Sequence, residues 1–197
     1  MDTFRYAVAV AIMVSAPAAI LYWFSIHPLI RFWRRLGLIP TLVINYSLII
    51  AIALCLWMLR HTLLAVEYGF QPSLALTGVV LLAVAVWLRI LIRRQLENRT
   101  LQGMPEIDPE HHPVPLLREG IYARLRHPRY VQVLIALWGW AVLANYLAGY
   151  LIAAGATILV PFIALLEERE LRARFGSAYD DYAARVPRFI PRIRSAG

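Results

Sequence analysis

The chain contains no lysine, so all twenty of its permanently basic side chains are arginine. It has one cysteine, Cys55, inside an apolar run; no internal disulfide is possible, and the side chain reads as a small buried hydrophobe. Charge is scarce too. Only 16% of the 197 residues are charged while 60% are hydrophobic, and the mean hydropathy is +0.61, which excludes an ordinary soluble globular domain. In a soluble protein a formal charge of +8 and a pI of about 10.1 would suggest a nucleic-acid partner. Here the arginines gather at the ends of apolar runs, the pattern of a membrane face against anionic headgroups, and no nucleic-acid partner is expected.

What the chain does have is long apolar stretches. A helix needs about 20 apolar residues to cross the hydrocarbon core, and five runs approach that, at 4–26, 40–59, 74–92, 128–145 and 150–166. The first is too long, and preceded by too little positive charge, for a cleaved signal peptide; it reads as a helix kinked near Pro17. The fold class is therefore all-α, an integral membrane bundle of about five transmembrane helices with a C-terminal interfacial amphipathic helix. The whole chain, 1–197, reads as one membrane domain. Residues 1–92 hold the first three spans, 93–127 a cytoplasmic loop, 128–168 a helical hairpin and 169–197 an amphipathic segment.

Arginine placement sets the orientation. Arg31, Arg34 and Arg35 follow the first span; Arg93, Arg94, Arg99, Arg118, Arg124 and Arg126 fill the loop after the third; Arg169, Arg172, Arg174, Arg185, Arg188, Arg192 and Arg194 populate the tail. Five spans put all three groups on one side and leave chiefly Arg5 and Arg60 on the other. The positive-inside rule then predicts a cell (inner) membrane protein with its N-terminus outside and its C-terminus in the cytoplasm.

The segment Gly120-Ile121-Tyr122-Ala123-Arg124-Leu125-Arg126-His127-Pro128-Arg129-Tyr130 leads into the fourth span, and a carboxylate pair, Glu167 and Glu168, ends the fifth. At 1.5 Å rise per residue, 128–145 climbs roughly 26 Å and 150–167 descends about as far, so Glu167 returns to the level of His127. Ionisable groups at the mouth of a bundle point to a functional site. Pro128 suits the first helical position, and the amides of Arg129, Tyr130 and Val131 behind it offer an anion site. Arg126 and His127 add donors, Tyr122 and Tyr130 add ring faces, and Glu167 adds acceptors for hydroxyl or ammonium groups. A ligand with a carboxylate, an ammonium, a ribose, an adenine and a positive sulfur uses them all, which describes S-adenosyl-L-methionine.

The same residues carry a family resemblance. Leu117-x-x-Gly120-x-Tyr122, Arg126-His127-Pro128-x-Tyr130, Glu167-Glu168, Phe175-Gly176-x-x-Tyr179-x-x-Tyr182 and Arg185-Val186-Pro187 resemble the isoprenylcysteine carboxyl methyltransferases and the related phospholipid methyltransferases. Leu88-Arg89 near the end of the third span also fits. The resemblance covers the C-terminal half; the first two spans match in hydrophobicity alone. It implies a cytoplasmic cofactor pocket cradled by Val114, Pro115, Leu116 and Leu117, by Tyr122, by His127, Pro128, Arg129 and Tyr130, and by Glu167. The lipophilic acceptor would enter from the bilayer, and no metal would be needed. An acceptor that is already an anion needs no base; for an amine, Glu168 is the nearest candidate. The acceptor is expected to be an isoprenylcysteine-like carboxylate or thiol, or a lipid amine.

Two positions depart from the family's pattern. Ile163 stands where isoprenylcysteine enzymes carry an arginine one turn before the glutamates, which leaves a carboxylate acceptor to Arg89 or Arg93, and Ile121 replaces the usual proline. The rival readings are an NADPH-dependent membrane reductase of the sterol reductase type, which shares a similar Arg-His-Pro-x-Tyr element, and a non-enzymatic membrane protein. Asp108, Glu110, His111 and His112 lack the spacing of a zinc site and read as a solvated loop. His27 and His61 read as interfacial polar groups, and most of Trp57, Trp87, Trp138 and Trp140 as packing rather than cofactor stacking. Leu171, Phe175, Tyr179, Tyr182, Val186 and Phe189 recur at helical spacing after Glu168, reading as an interfacial anchor helix, with a lid over the site as the alternative.

Overall fold

The computed structural model describes residues 2–95, Ile107 and 115–191. Val114 and the Asp108, Glu110, His111, His112 group lie outside the described residues. Among the described residues the regular structure is helical: α1 (Thr3–Ile26), α2 (Ile30–Leu36), α3 (Leu38–Met58), a single turn α4 (Arg60–Leu63), α5 (Pro72–Arg93), a 3₁₀ turn (Gly120–Ala123), α6 (Pro128–Ala144), α7 (Leu147–Phe175) and α8 (Ser177–Arg185). Four of these, α1, α3, α5 and α7, are long and apolar enough to cross a membrane. The fifth expected span, α6, is a shorter apolar helix of 17 residues, about 26 Å of rise. The chain is an integral membrane helical bundle.

The largest departure from expectation is α7. Hydropathy ends the fifth span near residue 166, yet the helix runs on through both glutamates to Phe175, 29 residues in all. Hydropathy sees only the apolar part, whereas Leu, Glu, Arg and Ala after it are good helix formers with no Gly or Pro to stop them. At about 43 Å the helix outreaches the roughly 30 Å hydrocarbon core, so its last turns stand clear of it. Gly176, at φ +55°, makes the break before α8 in a region most side chains avoid.

Packing is closest where side chains are small. A Cβ on Gly78 of α5 would lie 2.8 Å from the carbonyl oxygen of Gly139 on α6, so these two helices touch backbone to backbone. Ala9, Val10, Ile12, Met13 and Ala16 of α1 pack on Leu137, Ala141, Ala144, Ala153 and Ala156 of the α6–α7 hairpin. By contrast α3 buries only Thr41 and Asn45 and exposes Ile39, Val43, Ile44, Leu48, Ile50 and Leu54, a face suited to lipid. Cys55 is on this helix and is exposed rather than buried, because α3 lies at the edge of the bundle.

The hairpin is fixed at its turn. Asn145 adopts a left-handed conformation (φ 58°), donates from Nδ2 to Gly69 C=O at 2.8 Å and accepts from Tyr150 O–H at 2.8 Å. Arg5, buried in α1, donates to Ala144 C=O at 3.0 Å and pairs with Glu67 at 2.9 Å. This clasp joins α1, the α4–α5 connection and the α6–α7 turn at the end of the bundle remote from His127.

Gly78→Ala is expected to lower stability by about 1–3 kcal/mol, the usual cost of overpacking. Gly155→Ala, where nothing lies within 4 Å of an added Cβ, is expected to be neutral or mildly stabilising. Thermal unfolding in detergent reads both.

Candidate active site

His127 caps the start of α6, and α7 brings Glu167 and Glu168 back to it, the juxtaposition the hairpin arithmetic predicts. Nδ1 of His127 lies 3.5 Å from Glu167 Oε2, and Nε2 lies 3.1 Å from Glu168 Oε1. Carboxylates only accept, so both ring nitrogens carry hydrogen. Burial disfavours the charged ring, but the two carboxylates outweigh it and raise the His127 pKa above its ordinary value.

The two glutamates differ. Glu168 has 0% exposure and is ringed by cations. Arg188 donates to it bidentately, Nε to Oε1 and Nη2 to Oε2, each at 2.8 Å. Arg126 Nη1 lies 3.0 Å from Oε1, and Arg172 Nη2 lies 3.8 Å from Oε2. Both oxygens of Glu168, the residue expected as the base for an amine acceptor, are thus engaged by cations. Glu167 keeps 27% of its side chain exposed and accepts a hydrogen bond from Tyr130 besides facing His127.

The cradle is built from local devices. The 3₁₀ turn carries Tyr122 inward, and Tyr182 O–H donates to its carbonyl at 2.7 Å. Burial, with Glu167 nearby, pushes the Tyr122 phenol up to about 12, so it stays protonated. Leu116 packs on Tyr179, Tyr182 and Val186; Leu117 is half-buried beside it and Pro115 is exposed. The Tyr130 ring stacks on His127 at 5.4 Å. Pro128 is the first helical residue as expected, but Val131 N–H donates to His127 C=O at 3.3 Å, so α6 itself uses that amide. Arg129 extends its guanidinium over Trp23 of α1, 4.4 Å from the ring centroid. Arg89 is exposed on α5.

The tail closes against this cluster. Arg126 N–H donates to Pro187 C=O at 2.9 Å and His127 N–H to Arg188 C=O at 3.2 Å, while Phe189 lies 5.8 Å from the His127 ring. The apolar side of α8 is taken up by Leu116, Leu171 and Phe175. This side of α8 therefore packs on the protein itself.

Sequence reasoning missed a second imidazole–carboxylate pair. His27, at the C-terminal cap of α1, has 4% exposure and lies 3.0 Å through Nδ1 from Glu170 Oε1. Glu170 was findable, standing three residues after Glu167 on one helix face; nothing near His27 in sequence points to it. Arg188 was likewise hidden behind Pro187. Below the pair, Tyr130, Val160, Ile163 and Ala164 form an apolar cluster against Ile20, Trp23, Phe24 and Phe189. Ile163, 2% exposed, is part of this wall. Among the described residues no group of His, Cys, Asp and Glu is arranged to hold a metal.

Residues 74–178, a little over half of the chain, match the phospholipid methyltransferase family. Methanethiol S-methyltransferase 2 of Bradyrhizobium diazoefficiens is 38% identical over 89 residues, covering 45% of this chain and 32% of that protein. Methanethiol S-methyltransferase 1 of the same organism is 29% identical over 157 residues, covering 74% and 52%. The methanethiol S-methyltransferase of Crocosphaera subtropica is 28% identical over 114 residues, covering 54% and 44%. The chain spans about half or less of the length of these curated relatives. No solved structure matches.

Glu168→Gln leaves its cations facing a neutral group and is expected to destabilise by about 3–5 kcal/mol, with Glu167→Gln losing less than half as much, measured by thermal unfolding in detergent. The His127 ion pairs contribute fully below the ordinary imidazole pKa of about 6.5 and are lost as pH rises through the raised folded value. Thermal stability should fall across that window in the native protein and stay flatter in His127→Asn.

Proposed function

Because this chain belongs to the phospholipid methyltransferase family, we propose that it is an S-adenosylmethionine-dependent methyltransferase whose acceptor is a small lipophilic thiol arriving from the bilayer. The observation that carries the reading is the asymmetry of the carboxylate pair: Glu168 is closed within the protein, while Glu167 stays open beside an imidazolium.

The residues present fit such a cofactor. Glu167 accepts from hydroxyl or ammonium groups, and its charge favours a cationic sulfur nearby. Tyr122 and Tyr130 offer ring faces, and the start of α6, with His127 fixed as a cation, favours a carboxylate. Leu116 and Leu117 close the apolar side. When bound, S-adenosylmethionine supplies a methyl group on a positively charged sulfur, which passes to the acceptor by direct displacement. The chain's part is alignment and exclusion of water.

The acceptor reading rests on Ile163 and on the relatives. Ile163 lies in an apolar wall where a carboxylate acceptor would want a cation, and the relatives' names specify a thiol. The site end of the bundle carries Arg31, Arg34, Arg35, Arg93, Arg94, Arg118, Arg124, Arg126 and the tail arginines, so we place it in the cytoplasm.

The test is transfer of labelled methyl from S-adenosylmethionine by the purified protein, offered hexanethiol and total membrane lipid. Label in the thioether is expected; label in a phospholipid amine would overturn the acceptor. S-adenosylhomocysteine should bind and NADPH should not. Glu167→Ala and His127→Ala are each expected to weaken S-adenosylhomocysteine binding about tenfold or more, some 1.4 kcal/mol, by calorimetry; unchanged affinity in both would remove the pocket.

A further inference from the structure

From Thr3 to Val66 the chain carries no aspartate or glutamate, yet α2, within that stretch, carries three arginines, Arg31, Arg34 and Arg35. Other arginines at this end of the bundle sit among acids: Arg126, Arg172 and Arg188 surround Glu168, and Arg172 also meets Asp180. Arg31 and Arg35 are exposed and pair with no carboxylate among the described residues. Their charge is left for something outside the chain to balance.

We propose that α2 is a docking surface for an anionic phospholipid, with Arg31 and Arg35 on its phosphate and Phe32 and Leu36 against its acyl chains. The inference does not depend on the methyl-transfer reading. α2 is 7 residues long and links the ends of two spans, α1 and α3, which holds it at the level where hydrocarbon gives way to headgroups. At about 100° per residue its side chains divide into three faces. Trp33, 6% exposed, and Ile30 pack inward with Tyr22, Ile26 and Leu38. Phe32 and Leu36 are exposed, and the exposed Ile39 and Val43 of α3 follow them in the chain. Arg31, Arg34 and Arg35 take the third face. An arginine face beside an outward apolar face is the form of a helix that lies in a membrane interface.

The helix is fixed by the protein before any lipid arrives. Trp33 Nε1 donates to Ser25 C=O at 2.9 Å, and Thr41 Oγ1 donates to Gly37 C=O at 2.7 Å and lies 3.2 Å from Trp33 C=O. Gly37, at φ 88°, turns the chain into α3. A surface already ordered loses little entropy on binding. The arginine fork suits a phosphate, and unneutralised positive charge favours a headgroup with net negative charge over a zwitterionic one.

The full-length protein in detergent is titrated with dioleoylphosphatidylglycerol or dioleoylphosphatidylcholine, and bound lipid is read by native mass spectrometry. Phosphatidylglycerol is expected to bind about tenfold more tightly, a preference that shrinks as salt rises. Arg31→Gln with Arg35→Gln should abolish the preference, Arg31→Lys with Arg35→Lys should keep most of it, and Phe32→Gln should weaken both lipids alike. Arg60→Gln, at the opposite end where the arginine stacks on Trp57, should change nothing. An unchanged midpoint of thermal unfolding in phosphatidylcholine reports that the variants are folded. If the double glutamine variant does not fold, the single variants carry the same comparison, each expected to lose about threefold of the preference. Equal affinity of the native protein for the two lipids, or a preference that survives the glutamine variants, overturns the proposal. So does equal protection against heat by soluble glycerophosphoglycerol, which would make the face a site for free phosphate rather than for lipid.

Discussion

A carboxylate with no exposure is unstable unless cations and hydrogen bonds replace its water, and the arrangement around Glu168 is organised by that requirement. The cations come from three places: Arg126 and His127 at the start of α6, Arg172 one turn further along α7, and Arg188 on the tail. Satisfying one anion thus fixes the entry to α6, carries α7 beyond the hydrocarbon and draws the segment after α8 back over the helix start. The backbone bonds from Arg126 and His127 to Pro187 and Arg188 follow the same closure.

With Glu168 closed, its neighbour is the carboxylate that keeps an open surface. Glu167 is one residue away but turned by about 100° around the helix, enough to face His127 and Tyr130 with part of its surface open. At the other end of the bundle the Arg5–Glu67 pair and Asn145 hold the hairpin turn against α1 and the α4–α5 connection. A hairpin clamped at both ends keeps α1 in register with α7, so that His27 meets Glu170. The site is held by rigid elements, which suits a reaction that gains chiefly from alignment.

Much of this was legible in the chain. Apolar runs separated by arginines specify the bundle, and a constant rise per residue places Glu167 level with His127. The reach of α7 was not, because hydropathy reports lipid contact and not helix continuity. The surroundings of α8 were not, because an apolar stripe fits a bilayer and a protein surface equally well; Tyr179 and Tyr182 meet Leu116 and Leu171. Cys55, read as buried, is exposed because burial on α3 depends on neighbours that the helix's own sequence does not encode.

The sequence by itself determined a membrane-embedded helical protein, the antiparallel hairpin and the level at which its polar ends meet, since these follow from hydrophobic length and helix geometry. Only the tertiary structure decided which glutamate is sealed among cations and which is open, and that His27 pairs with Glu170. Those outcomes depend on partners as far apart as 20 residues for Arg188 and Glu168 and 143 for His27 and Glu170. Burial and ion pairing are set by what packs around a side chain, and a linear pattern does not carry that information.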